Sequence, residues 1–283
     1  MTDTDVVGVD FSGAARPGES VRVAEASLDD RLRVECCRSA RAAFGASGRE
    51  DVLAALVDHV DGRGVVGVDC PFGLPRPVVE ALDGPTTWAE TVRWVGETFV
   101  DADEFAGRCK AATRAATDGE RTYLRRATDG PVGAKSPYHF FTHRQAFHGV
   151  RDVLAPLLDR GAGVAPMTGE PADGESTVVE VYPAGTLRRL ELPDENYKTA
   201  SDEARRTRER ILSGLEAGDD DPGAAGGRPV TVADGRTRER VLADDGGDAL
   251  DAVVAAVAAA RASERDFAVD DGRYNPLEGY VYV

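Results

Sequence analysis

Apolar positions along the chain fall into runs of contrasting kinds. Two short, wholly apolar runs, at 6–10 and 65–69, both read Val-Val-Gly-Val-Asp. Each is stopped by a turn signal: Phe11-Ser12-Gly13 after the first, Cys70-Pro71-Phe72-Gly73 after the second. Val-rich runs of this length bounded by Gly and Pro predict strands covered on both faces, as in a parallel sheet. Alternation over 21–26 and 32–36, with Leu28-Asp29-Asp30-Arg31 between, predicts a hairpin. Val52, Leu53, Leu56, Val57 and Val60 recur at helical spacing and predict an amphipathic helix over 50–61. Farther on, 77–160 is a helical stretch of mixed polarity, an insertion or lid, and 161–176 reads as a loop. Residues 177–182 form another apolar run with an acid inside it, Glu180, ended by Pro183. A charged helix follows over 201–215, then a loop over 218–229 whose Gly, Asp and Pro content predicts a mobile surface segment. Residues 248–264, mostly Ala and Val, predict a helix, and the tail 274–283 can end in a closing strand.

This order predicts an α/β fold on a mixed sheet. At 283 residues the chain suits one large domain with insertions or two smaller ones; we read a single domain over 1–283 with a helical insertion at about 77–160. The longest apolar run, 252–260, is too short to span a membrane. The N-terminus lacks a basic start and an apolar stretch, so no secretion signal is expected. Cys36, Cys37, Cys70 and Cys109 form no CxxC pair, which predicts reduced thiols and a cytoplasmic setting.

Charge changes the picture. Asp plus Glu number 50 against 34 Lys plus Arg, a formal net charge of −16, and only Lys110, Lys135 and Lys198 are lysines. This acidic, Lys-poor composition resembles that of proteins from salt-loving cells, or simply an acidic protein from a GC-rich genome. Such a surface opposes nucleic-acid binding unless cations are concentrated locally. They are: 105–151 holds nine Lys and Arg but three acids. Tyr123, Tyr138, His139, Phe140, Phe141, His143, Phe147 and His148 are interleaved with them. Basic and aromatic residues together can hold a phosphate backbone and stack bases; equally, they can form a helical lid with aromatics packed inward. Lys135 is the best phosphate candidate in this stretch, with Arg144 next. His139 and His143, four apart, are more often structural than metal-binding.

Acids stand where the pattern is otherwise apolar: Asp10, Asp69, Glu180, and the pair Asp248 and Asp251 on one helix face. If the two pentapeptide strands are parallel neighbours, about 4.8 Å apart, Asp10 and Asp69 emerge at the same edge. They then repel unless a proton or cation lies between them. Singly, Asp10 and Asp69 can cap their turns, Glu180 can face solvent from an edge strand, and Asp248 and Asp251 can cap their helix. Jointly, the set favours a hard cation such as Mg²⁺ or Mn²⁺. Lys198 can reach a substrate phosphate near that site, and the Ser12-Gly13 turn can present N–H groups to an anion.

The order of strand acid, hairpin, helix, second strand acid, later strand acid and acid-bearing helix resembles the ribonuclease H-like fold. More closely, VGVDFSGA, VGVDCPFGLP, EVYPAGTLR, NYKT, GDALDAVVAAVAAAR and the terminal EGYV resemble an uncharacterised family of predicted nucleases, domain of unknown function 429. The resemblance implies a mixed five-stranded sheet flanked by helices. It also implies a nuclease or related phosphodiesterase working through two metal ions. Asp10, Asp69, Glu180 and Asp248 or Asp251 become the implied catalytic metal ligands, with Ser12, Lys135, Arg144 and Lys198 on a nucleic-acid substrate. Two alternatives compete. An actin-like ATP-dependent phosphotransferase also begins with a β-meander and strand-end aspartates, although it normally has Gly where Ser12 stands. A non-catalytic nucleic-acid-binding protein is the other. The sequence carries no signal of oligomeric state.

Overall fold

The structure, a computed structural model, describes residues 4–169, 171–217 and 229–283. Almost all of the loop expected at 218–229 lies outside the described residues. Strands β1 (Thr4–Asp10), β2 (Arg22–Leu28) and β3 (Leu32–Ser39) form an antiparallel meander, followed by α1 (Ala40–Phe44) and α2 (Arg49–Val60). Strand β4 (Val65–Asp69) returns parallel to β1. The stretch expected to be helical follows as α3 (Arg76–Ala81), α4 (Trp88–Thr98), α5 (Ala102–Ala116), α6 (Asp129–Val132), α7 (His143–Gly149) and α8 (Ala155–Arg160), with a π-helical turn at Val150–Leu154. Then come β5 (Gly163–Ala165), β6 (Thr177–Val181), α9 (Pro183–Arg189), α10 (Asp202–Ala217), β7 (Val230–Val232), α11 (Gly235–Ala243), α12 (Asp248–Glu264) and β8 (Val281–Tyr282).

The fold is mixed α/β, with eight strands rather than the five expected. Its order is β5-β6-β4-β1-β2-β3-β7, and β8 extends β6. The five expected strands lie side by side in the middle. The three additions are two or three residues long. So few residues carry no periodicity; pairing alone makes them strands.

The sheet is covered on both faces, which is why the pentapeptide strands carry no polar face. On one face Val7, Val9, Val66, Val68 and Val178 pack against α2 and the 76–160 helices. The insertion therefore builds one of the two cores instead of standing off as a lid. On the other face Val6, Val65, Val179 and Val181 pack against α12, with α9, α10 and α11 outside. Gly8 and Gly67 are register partners facing α12. A Cβ on Gly8 would lie 2.1 Å from the Ala252 carbonyl oxygen, and one on Gly67 2.6 Å from that of Ala255. The glycines and the Ala-rich helix thus bring helix backbone onto sheet backbone. No helix among the described residues is long and apolar enough to cross a membrane.

Candidate functional site

Parallel register pairs Asp10 directly with Asp69. Both follow a glycine by two residues, so their side chains share the α12 face at the carboxyl-terminal edge. Helix α12 aims its first turn at this edge. The adjacency inferred from the repeated pentapeptide is thus present, and with it the expected repulsion. Burial pushes the Asp10 carboxyl well above the ordinary range, with Asp251, Asp69 and Asp248 adding repulsion and Lys198 opposing it. Asp69 is pushed up to about 8, by burial first and then by Asp251. No hydrogen bond to either carboxylate is found among the described residues.

Asp251 is 1% exposed. It accepts a hydrogen bond from the Tyr197 hydroxyl at 2.7 Å and an ion-pair contact from the Lys198 ammonium. Burial raises its pKa against both partners. Burial also raises the Tyr197 hydroxyl, aided by Asp251, and keeps it a donor. For Lys198 burial opposes the charge, but Asp251, Asp10 and Asp69 outweigh it and hold the ammonium above the ordinary lysine value. Its side chain is 52% exposed, so the cation reaches from Asp251 into solvent. The docking depends on Gly247, which has φ 75° and on which a Cβ would stand 3.0 Å from the Tyr197 ring. Asp248 lies at the rim, its pKa raised by burial and then by Asp244. Helix capping falls to Asp244, which accepts from the Ala249 N–H at 2.7 Å.

The structure parts Glu180 from the aspartates. Glu180 is paired with Val68, one residue out of step with Asp69, and so faces the opposite side of the sheet. There Arg126 donates to it at 2.7 Å and the Phe72 N–H at 2.9 Å. Arg126 also pairs with Asp129 at 2.7 Å, and all three side chains are buried. Such a network ties the insertion to the sheet and engages both Glu180 oxygens, one with Arg126 and the other with Arg126 and the Phe72 N–H.

Ser12 accepts from the Ala14 N–H at 3.3 Å, closing its own turn. Gly13 lies against the Arg144 backbone, where a Cβ would come within 2.3 Å. Arg144 points outward, 55% exposed, with Asp103 at 3.4 Å. Next to it, Gln145 donates to the Phe11 carbonyl at 3.0 Å and to the Asp69 carbonyl, stapling the ends of β1 and β4. Lys135 stands 5.6 Å over the Phe141 ring and Lys110 5.5 Å over Tyr123. Tyr123, His139, Phe140 and Phe141 form a contiguous ring cluster, with Phe140 56% and Phe141 68% exposed. This part of the basic segment is an outward aromatic surface, whereas Tyr138 and Phe147 are fully buried. His139 belongs to that surface, and His143 faces Asp103 at 3.2 Å. Tyr197, Gln145 and Arg126 escaped sequence reading because each acts on partners more than 50 residues away.

Among the described residues, no three His, Cys, Asp or Glu side chains form a ready-made metal cage. The donor set is smaller: Asp10 and Asp69, adjacent and unpartnered, with Asp251 already held by Tyr197 and Lys198. That suits a Mg²⁺-like ion, which is usually bound by one or two carboxylates, water and substrate phosphate. It does not suit a calcium cage of six or more protein oxygens.

No curated protein and no solved structure is significantly similar to the chain. The model of one family, described as a protein of unknown function (DUF429), matches residues 8–269. That match takes in both pentapeptide aspartates, the Tyr197-Lys198 loop and all of α12, and the chain belongs to the DUF429 family.

Proposed function

We propose that the protein is a Mg²⁺- or Mn²⁺-dependent phosphodiesterase acting on nucleic acid, with Asp10 and Asp69 as its metal-holding pair. The observation that carries this reading is the in-register, unpartnered placement of the two carboxylates beside α12. The five central strands, in the order β3-β2-β1-β4-β6, support a ribonuclease H-like reading of the sheet. A bound divalent ion supplies Lewis-acid stabilisation of the phosphate and an activated water. The chain supplies the rest. Asp10 and Asp69 would hold the cation, whose charge would offset their mutual repulsion. Asp251, locked by Tyr197, aims the Lys198 ammonium at a non-bridging phosphate oxygen. Asp248 contributes negative charge at the rim. Gln145 keeps the two strand ends at fixed separation. Glu180 acts from the opposite face, through Arg126, as a positioning residue. Ser12, Arg144 and Lys135 would contact the substrate backbone.

A panel of single- and double-stranded DNA and RNA incubated with Mn²⁺ tests this. We expect cleavage that chelation abolishes and that Asp10→Asn and Asp69→Asn each reduce at least 100-fold, with unchanged circular dichroism. Cleavage that survives both substitutions overturns the reading. So does the absence of cleavage together with an ATP-dependent thermal shift.

A further inference from the structure

The far end of α12 carries a second polar anomaly. Arg261, in the last turn, is 4% exposed, and none of its three guanidinium nitrogens has a hydrogen-bond partner. A buried charge is ordinarily paired, because its lost hydration is otherwise uncompensated. Burial first, then Arg265 and Arg189, depress its pKa to about 10. A cation near a helix C-terminus is favoured by the helix dipole. That explains the charge but not the burial of every donor without an acceptor.

Arg261 borders a cavity of about 260 Å³ whose wall also contains Arg189, Arg265, Arg273 and Tyr280. Arg273 stands 5.0 Å over the Tyr280 ring and has Asp270 at 3.4 Å, the only acidic side chain on this wall. Val283 borders the cavity as well. Four guanidinium groups line the wall with Asp270 as its acidic side chain, and Glu264 acts on Arg261 from one turn away, so the site stays net basic on a chain that is −16 overall. Arg261 lies roughly 15 Å along the helix from Asp251, at about 1.5 Å per residue, so this cavity is distinct from the acidic edge.

We propose that the cavity is a binding site for a phosphate monoester, with its dianion on Arg261 and Arg273 and with Arg189 and Arg265 closing the rim. Guanidinium forks match phosphate oxygens in pairs, and the empty donors of Arg261 are what such an anion would fill. The site stands independently of the phosphodiesterase reading.

Calorimetric titration of the full chain tests it, in metal-free buffer at constant ionic strength, with inorganic phosphate and ribose 5-phosphate as probes. Ribose 5-phosphate is expected to bind wild type and Asp10→Asn alike, with Kd weakened tenfold or more in Arg261→Met. Binding of ribose 5-phosphate, with or without inorganic phosphate, supports the monoester site; binding of inorganic phosphate alone overturns it. Without phosphate, Arg261→Met is expected to melt no lower than wild type, since it removes an unpaired buried charge. Should that variant fail to fold, Arg265→Gln, an exposed position, decides with an expected threefold or greater loss. Absence of binding by both probes overturns the proposal. Unchanged affinity in the arginine variants, or loss of binding in Asp10→Asn, does the same.

Discussion

Asp69 carries a pH signature that can be measured without any activity. Its folded pKa is about 8, against about 4 for an unfolded aspartate. Between these values the native state holds more protons than the unfolded chain, so stability falls as pH rises through that window. In metal-free buffer we expect Tm to drop on the order of 5–10 °C from pH 5 to pH 8. The slope should flatten in Asp69→Asn and with millimolar Mg²⁺ or Mn²⁺. A differential scanning calorimetry series over pH checks this, and a slope identical in wild type and Asp69→Asn defeats it. The same repulsion predicts that Asp10→Asn is at least as stable as wild type without metal, although it disables the site. The aspartates were legible because a carboxylate ending an apolar run is conspicuous. Glu180 was equally conspicuous, yet its face depends on a one-residue offset between β4 and β6. No single strand encodes that offset.

At the scale of elements, α12 and the paired glycines form one unit. Gly8 and Gly67 leave room for helix backbone, and the alanines at 252, 255, 256 and 259 supply a helix surface thin enough to occupy it. Gly8→Ala is expected to destabilise by on the order of 3 kcal/mol, because its Cβ meets helix backbone rather than a flexible side chain. A urea midpoint shift at constant m-value measures this; a neutral result would mean that the helix is free to move off the sheet. The glycine within each valine run and the small residues of the helix were visible separately. The bounds of α2 and α10 lay within two residues of those expected, and α12, expected from its Ala and Val content, spans 248–264 as read. Helix α11 and the strands β5 and β7 were not foreseen, whereas β8 falls in the tail where a closing strand was expected. They are short, and their conformation is imposed by neighbours distant in sequence.

At the scale of the molecule, charge is segregated. Lys110 stands over the half-buried Tyr123 ring and Lys135 over the exposed Phe141 ring, and Lys198 is the third and last lysine, at the acidic edge. Phe141 is four residues before Gln145, at most about 14 Å of extended chain from the staple across the ends of β1 and β4. This continuity favours a single strand running from the rings to the carboxylates. Phe140→Ala with Phe141→Ala is expected to weaken binding of single-stranded oligonucleotides about 10-fold or more, at the scale of roughly 1–3 kcal/mol per stacked base. Melting temperature should be unchanged, because both rings are exposed. Fluorescence anisotropy with Asp10→Asn as background checks this apart from cleavage, and equal affinity for the ring-less variant sinks it. By itself the sequence determined the five central strands and the helices at 49–60, 202–217 and 248–264, since periodicity, composition and turn chemistry are local. It also determined that several acids interrupt apolar runs. Only the tertiary structure decided which acids meet: parallel register brings Asp10 to Asp69, and α12 brings Asp251 with its lysine, while the pleat turns Glu180 to Arg126 on the other face. Whether a side chain faces one core or the other is a property of pairing between strands, and pairing is not written in any one of them.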